Sequence, residues 1–176
     1  MRVRDPDTGA EQPPGRSGEL ELKGPSAMAG YFGDEAATAR AVTGDGWLRT
    51  GDLGHVLDDG SFIFETRMGD VLRLGGYLVA PTEIEAYIQR HPTIEACQIV
   101  GVAGADGLTP VAFVTLRAGA SFYEAGLRRF CADGLARFKV PARIFALDAF
   151  PMTASANGSK VQRSKLREMA QARLAT

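Results

Sequence analysis

A mixed α/β (α+β) fold is predicted by this sequence: a small β-hairpin-rich N-terminal segment, then a small C-terminal domain in which a short sheet is flanked by helices. Three observations carry that reading. Glu19-Leu20-Glu21-Leu22-Lys23-Gly24 alternates polar and apolar residues with period two, the pattern of a strand with one buried face. Asp58-Asp59-Gly60 separates two apolar stretches, and Asp-Gly in that setting is the strongest short-range hairpin signal. Beyond Asp70 the composition changes to alternating strand-like and helix-like segments.

Taken in order, residues 1–17 read as surface connection, with turns at Asp5-Pro6-Asp7-Thr8-Gly9 and Pro13-Pro14-Gly15. The strand at Glu19–Gly24 follows. Asp34 to Ala41 is Ala-rich, with an aspartate suited to cap its first turn, and is predicted as a short helix. Trp47 to Glu65 reads as strand, turn, strand. Arg67 to Asp70, with Gly69 inside it, interrupts the pattern and sets the domain boundary, giving 1–68 and 69–176.

In the second part, Val71-Leu72-Arg73-Leu74 and Tyr77-Leu78-Val79 flank Gly75-Gly76 as another hairpin. Pro81 opens a helix over Thr82–Gln89, with two glutamates near the positive end of its dipole, and His91-Pro92 stops it. Ile94–Val102, Val111–Leu116 and Arg143–Leu147 read as strands, Phe122–Leu135 as an amphipathic helix and Arg163–Arg173 as a closing helix. Thr153 to Ser159 reads as a loop of small polar residues. No internal repeat is visible.

Size and composition narrow the function classes. The 176 residues, 45% hydrophobic, are enough for one ordinary domain or two small ones with a real core. A formal charge of -1 without a run of like charges argues against a nucleic-acid partner. Cys97 and Cys131 lie in apolar segments without metal-ligand spacing and read as buried thiols in a reducing cytosol; the expected location is cytoplasmic. No metal site is expected. The apolar runs fall short of the ~20 residues that span a bilayer, so no transmembrane segment is expected.

Several residues have chemistry worth weighing. Asp52, after the Thr50-Gly51 turn, is a short carboxylate able to accept both hydroxyls of a ribose; for such a tripeptide, a turn-capping aspartate is the commoner alternative. Arg67 offers a fork of donors to a ribose or phosphate oxygen, or forms a surface ion pair with Glu65 or Asp70, and the residues alone do not choose. Gly75-Gly76-Tyr77 lets a ligand approach the backbone closely, and a tight hairpin explains the same glycines. Lys160, among small polar neighbours, can bring an ammonium to a phosphate, although a solvated lysine is the default for any lone Lys. His55 and His91 have no partners arranged as a triad, and Cys131 reads as core. No G-x-G-x-x-G follows a strand.

The order Gly46-Trp47-Leu48-Arg49-Thr50-Gly51-Asp52, then Thr66-Arg67-Met68-Gly69-Asp70, then Pro151-Met152-Thr153 and Lys160-Val161-Gln162-Arg163 with Leu166-Arg167, resembles the C-terminal part of the adenylate-forming enzymes, and within them the acyl-CoA synthetases. The resemblance runs from Asp5 to the final helix. The Ser/Thr/Gly-rich phosphate loop that opens such enzymes is not in this chain, so the resemblance implies the tail of a longer enzyme, inactive alone, with a missing N-terminal adenylation domain as partner.

What the resemblance implies is a two-step ligase using ATP, CoA and a carboxylic acid, expected to be fatty. A carboxylate attacks ATP to give acyl-AMP and pyrophosphate, and CoA thiol then displaces AMP. Residues 1–68 would be the end of the large adenylation domain and 69–176 the C-terminal domain. Thr50, Asp52 and Arg67 would bind the nucleotide, Gly69 would be the hinge, Gly75, Gly76 and Tyr77 would line the CoA passage, and Lys160 would stabilise charge at the α-phosphate during adenylation. Mg2+ is expected only through the missing part. Two features depart from the pattern: Gly69 stands where relatives mostly carry Asp or Lys, and the lysine turn is the longer Ser155-Ala156-Asn157-Gly158-Ser159 version. A non-catalytic interaction module, and a superfamily member with another thiol acceptor or an oxidative second step, are the alternatives.

Overall fold

Val3 and Leu20 stand directly opposite each other on neighbouring strands, and both are buried. That pairing makes β1 (Arg2–Arg4) a strand, where the sequence suggested only surface connection over residues 1–17. One apolar residue between two arginines is too short a pattern to read as a strand; its partner strand supplies the reason. The computed structural model describes residues 1–104, 107–155 and 158–175, which group into two units, Met1–Val71 and Leu72–Thr176.

In the first unit β1, β2 (Gly18–Leu22), β3 (Leu48–Val56) and β4 (Phe62–Arg67) form a sheet in sequence order, every pair antiparallel. The turn at Asp5 forms as expected, its carboxylate accepting the Asp7 and Thr8 amides. Helix α1 (Glu35–Ala41) is capped by Asp34, whose Oδ1 accepts the Ala37 N–H at 2.7 Å. The predicted β3–β4 hairpin turns at Asp58-Asp59-Gly60.

The second unit opens with the hairpin β5 (Leu72–Leu74) and β6 (Tyr77–Val79), followed by α2 (Pro81–Ile88). A three-stranded sheet follows, ordered β7 (Ile94–Gly104), β8 (Gly107–Leu116), β9 (Arg143–Ala146); β7–β8 is antiparallel and β8–β9 parallel. Alternation along β8 divides the core. Ala112 and Val114 join Cys97, Ile99 and Ile144 against α2 and α3 (Glu124–Gly134); Val111 and Phe113 join Val100 and Val102 against Leu166 and Ala170 of α4 (Arg163–Leu174). A sheet buried on both faces needs near-continuous apolar strands, and these segments have them. β8 begins before Val111, where the sequence placed its start. Pro110 is tolerated there because the β9 register begins only at Val111.

Between β9 and α4 stands a hairpin of β10 (Met152–Ser155) and β11 (Gly158–Val161), pairing Thr153 with Lys160. This corrects the loop expected at Thr153–Ser159: Lys160 lies in a strand. Its neighbours are mostly exposed, so no apolar alternation betrays the strand. Ala156 and Asn157 of the longer lysine turn lie outside the described residues.

Candidate functional site

Thr50, Gly51 and Asp52 bulge out of the first sheet. Glu19 pairs with Leu53 and Glu21 with Arg49, so the three residues stand opposite Leu20 alone. Gly51 adopts φ +71°, and Thr50 secures the bulge: its Oγ1 donates to Leu20 O at 2.8 Å and accepts the Asp52 N–H at 3.2 Å. The Thr50 hydroxyl is thereby committed to shaping the backbone. On the other edge Asp52 lies in register with Arg67 of β4. The fold therefore brings together three residues that are up to 17 positions apart.

Arg67 Nη1 comes within 2.8 Å of Asp52 Oδ1 and within 3.4 Å of Thr50 O. Arg67 thus pairs with Asp52, a partner the sequence did not suggest, whereas Glu65 is held by His55 Nδ1 at 2.7 Å and Ser17 Oγ at 2.6 Å. The approach to Asp52 is an ion pair lying off the hydrogen-bond axis. Asp52 Oδ1 is hidden from solvent, and among the described residues it receives no hydrogen bond of good geometry. The Arg67 side chain is 66% exposed, so the pair contributes at most about 1 kcal/mol to stability. What results is a carboxylate with unused acceptor capacity beside an exposed guanidinium.

Gly69 lies in the 3-10 turn Met68–Asp70. Its φ is outside the left-handed region, and a Cβ built there meets nothing within 4 Å. Glycine is not sterically required in this conformation.

In the second unit Gly75 and Gly76 have φ of +57° and +85°, as a two-residue hairpin of primed type demands. Tyr77 stacks on Phe138 at 4.9 Å between ring centroids, with 17° between the planes. A groove of about 740 Å³ passes Gly75, Thr109, Pro110, Arg137 and Phe138. Lys160 is exposed on β11.

The other titratable groups are structural. Ser17, Glu65 and His55 are brought together with the carboxylate in the middle, the wrong order for activating a serine. Burial pushes the Cys131 thiol up to about 11 and Cys97 well above its ordinary value. Neither is a thiolate at neutral pH. Among the described residues no group of three His, Cys, Asp or Glu side chains is arranged to hold a metal ion.

Sequence reasoning missed Glu85. It was counted among the acids near the start of its helix, but it lies on the buried stripe Pro81, Ile84, Glu85, Ile88, accepts the Ile99 N–H at 2.9 Å and pairs with Arg163 at 3.0 Å. A glutamate on an otherwise apolar helical face was the available signal. Phe138, the stacking partner of Tyr77, had no comparable one.

Residues 83–157 match the family model described as AMP-binding enzyme C-terminal domain. The chain carries the C-terminal domain of the AMP-binding, adenylate-forming enzymes. It is 41% identical over 157 residues to a 2-succinylbenzoate–CoA ligase of Geobacillus kaustophilus, which covers 89% of the chain and 31% of the relative. ATP-bound MatB from Rhodopseudomonas palustris aligns with a TM-score of 0.84 at 35% identity, over 97% of the chain and 33% of that protein. The amide bond synthetase McbA from Marinactinospora thermotolerans gives 0.81 at 32% identity, over 97% and 34%. The chain thus spans about a third of the length of these adenylate-forming enzymes. Among its described residues no helix is long and apolar enough to cross a membrane.

Proposed function

We propose that this chain is the C-terminal portion of an AMP-forming carboxylic acid–CoA ligase. Asp52 and Arg67 hold the ribose of ATP and of the acyl-adenylate, with Thr50 shaping their turn. Lys160 serves adenylation, in which the acid attacks the α-phosphorus and pyrophosphate leaves. Gly75, Gly76 and Tyr77 serve the thiol step, in which CoA displaces AMP, and Gly69 is the hinge between the two steps.

The observation that carries the reading is the Asp52–Arg67 pair: a carboxylate side chain still 23% exposed, beside an arginine 66% exposed and already turned toward it. A ribose diol can donate to the part of the carboxylate left open to solvent, and the guanidinium remains exposed for a further oxygen. Gly69 fits a hinge because nothing in this conformation requires glycine, leaving its backbone freedom for another. The acid is best described as a carboxylic acid: the fatty acid expected from sequence is not favoured by a relative named for 2-succinylbenzoate, an aromatic acid. The likeness to an amide bond synthetase favours a second reading, in which the acceptor is an amine.

The experiment is a full-length ligase in which this chain replaces the matching third of the Geobacillus 2-succinylbenzoate–CoA ligase. ATP- and acid-dependent pyrophosphate release is expected, cut to a small measurable residual rate by Lys160→Ala, and thiol and amine acceptor panels distinguish the second step. Undiminished release in the Lys160→Ala form refutes the assignment. The isolated chain, given ATP, CoA and a panel of acids, is expected to make no acyl-CoA; appreciable AMP release would count against this.

A further inference from the structure

Lys160 stands on a hairpin whose described residues are mostly exposed; Val161 beside it packs on the Val100–Phe113 cluster, and polar contacts hold the hairpin base. Two contacts lie there. Gln162 N–H donates to Pro151 O at 2.8 Å, closing the base, and the next residue, Arg163, donates to Glu85 Oε1 at 3.0 Å and Oε2 at 3.4 Å. Arg163 is the first residue of α4, a helix with no acid in its first turn and no side-chain cap. A cation at the positive end of a helix dipole is disfavoured, so the guanidinium is not there for the helix. It is there for Glu85.

Glu85 is itself held. Its side chain is 8% exposed, and Oε1 also accepts the N–H of Ile99, on the edge of β7 that has no strand partner among the described residues. One carboxylate thereby ties α2, the sheet and the start of α4 together, three residues from Lys160.

We infer that Glu85 and Arg163 are positioning residues for Lys160, fixing the strand that carries the ammonium. The inference rests on the reading of Lys160 as the adenylation lysine. A charge that must meet a developing charge within a fraction of an ångström is sensitive to the anchoring of its strand, and misplacement by about 1 Å costs up to roughly 100-fold.

Glu85→Gln tests this, because the amide keeps an acceptor for Ile99 N–H and nearly the same volume while losing the charge that holds Arg163. In the ligase carrying this chain, pyrophosphate release should fall roughly 10- to 100-fold in kcat with the KM for ATP held. Conversion of supplied acyl-adenylate to thioester should be unchanged. Arg163→Lys should recover part of the rate and Arg163→Met none. In a Lys160→Ala background Glu85→Gln should have almost no further effect, since the pair acts only through the lysine. On the chain itself, the β11 and Gln162 amides should exchange about tenfold faster in Glu85→Gln, with β8 amides unchanged.

Equal loss in both half-reactions, or the same loss with and without Lys160, makes the pair merely structural and overturns the inference. So does unchanged exchange at β11. Undiminished adenylation in the Lys160→Ala form is a different failure: it removes the functional reading, and the positioning role falls with it.

Discussion

At Gly69 the backbone is in a conformation open to any residue, with free space where a Cβ would point. Gly69→Ala is therefore expected to stabilise the chain by about 0.4–1 kcal/mol, by narrowing the unfolded ensemble, as read by denaturant unfolding. Turnover of the full ligase should fall in the same variant if the position is a hinge. Asp52 presents the opposite case. Its pair with Arg67 faces solvent on the arginine side, so Asp52→Ala should change stability by no more than about 1 kcal/mol. Losing hydrogen bonds from ribose to a charged acceptor should weaken ATP binding roughly 10- to 100-fold. A titration finding unaltered ATP affinity would remove Asp52 from the site. The sequence offered Asp52 and Arg67 as separate candidates; their meeting follows from a strand register that no local pattern encodes.

Among the elements, two are tied down by carboxylates whose affinity for protons is lowered. Asp45 binds Arg2 at 2.8 Å and Thr43 Oγ1 at 2.7 Å, holding β1 to the loop before β3. Its hydrogen bond from Arg2, then that from Thr43, keep the carboxyl well below its usual range. Glu124, opening α3, is pushed up by burial. The Ile144 N–H on β9 at 3.0 Å and Arg143 at 2.9 Å together outweigh that and leave it lowered. Each folded pKa lies below the unfolded one, so the stability they contribute is present above the unfolded value and lost as pH falls through the folded one. Stability from these groups should hold from neutral pH to about 5 and decline below about 4. Asp45→Asn and Glu124→Gln should flatten that decline in an acid titration followed by circular dichroism; acid profiles identical to the parent would contradict the assignment. Glu19 runs the other way. Burial raises its pKa, so its contribution is full at low pH and lost as pH rises through the folded value.

For the whole molecule, the second unit is a sheet buried on both faces, and Phe113, fully buried beside Phe145 at 5.6 Å, lies at the centre of one of them. Phe113→Ala should cost about 3–5 kcal/mol in equilibrium unfolding, and a loss under 1 kcal/mol would mean that the packing is wrong. Such strands were legible because burial on both sides writes itself as continuous apolar runs, and the hairpins were legible because Asp-Gly and Gly-Gly specify their turns chemically. Strand β1 and the Lys160 hairpin were not, since each has too little buried surface to leave a pattern and is defined by its partner. By itself, the sequence determined the alternation of elements, the turn positions and the likeness to adenylate-forming enzymes, all of which depend on neighbouring residues or on their order. Only the tertiary structure decided that Asp52 faces Arg67 across a bulge and that Glu85 reaches Arg163, 78 positions away. Both are meetings of charged groups distant in the chain, and a polar side chain gives no periodic sign of the partner that will compensate it.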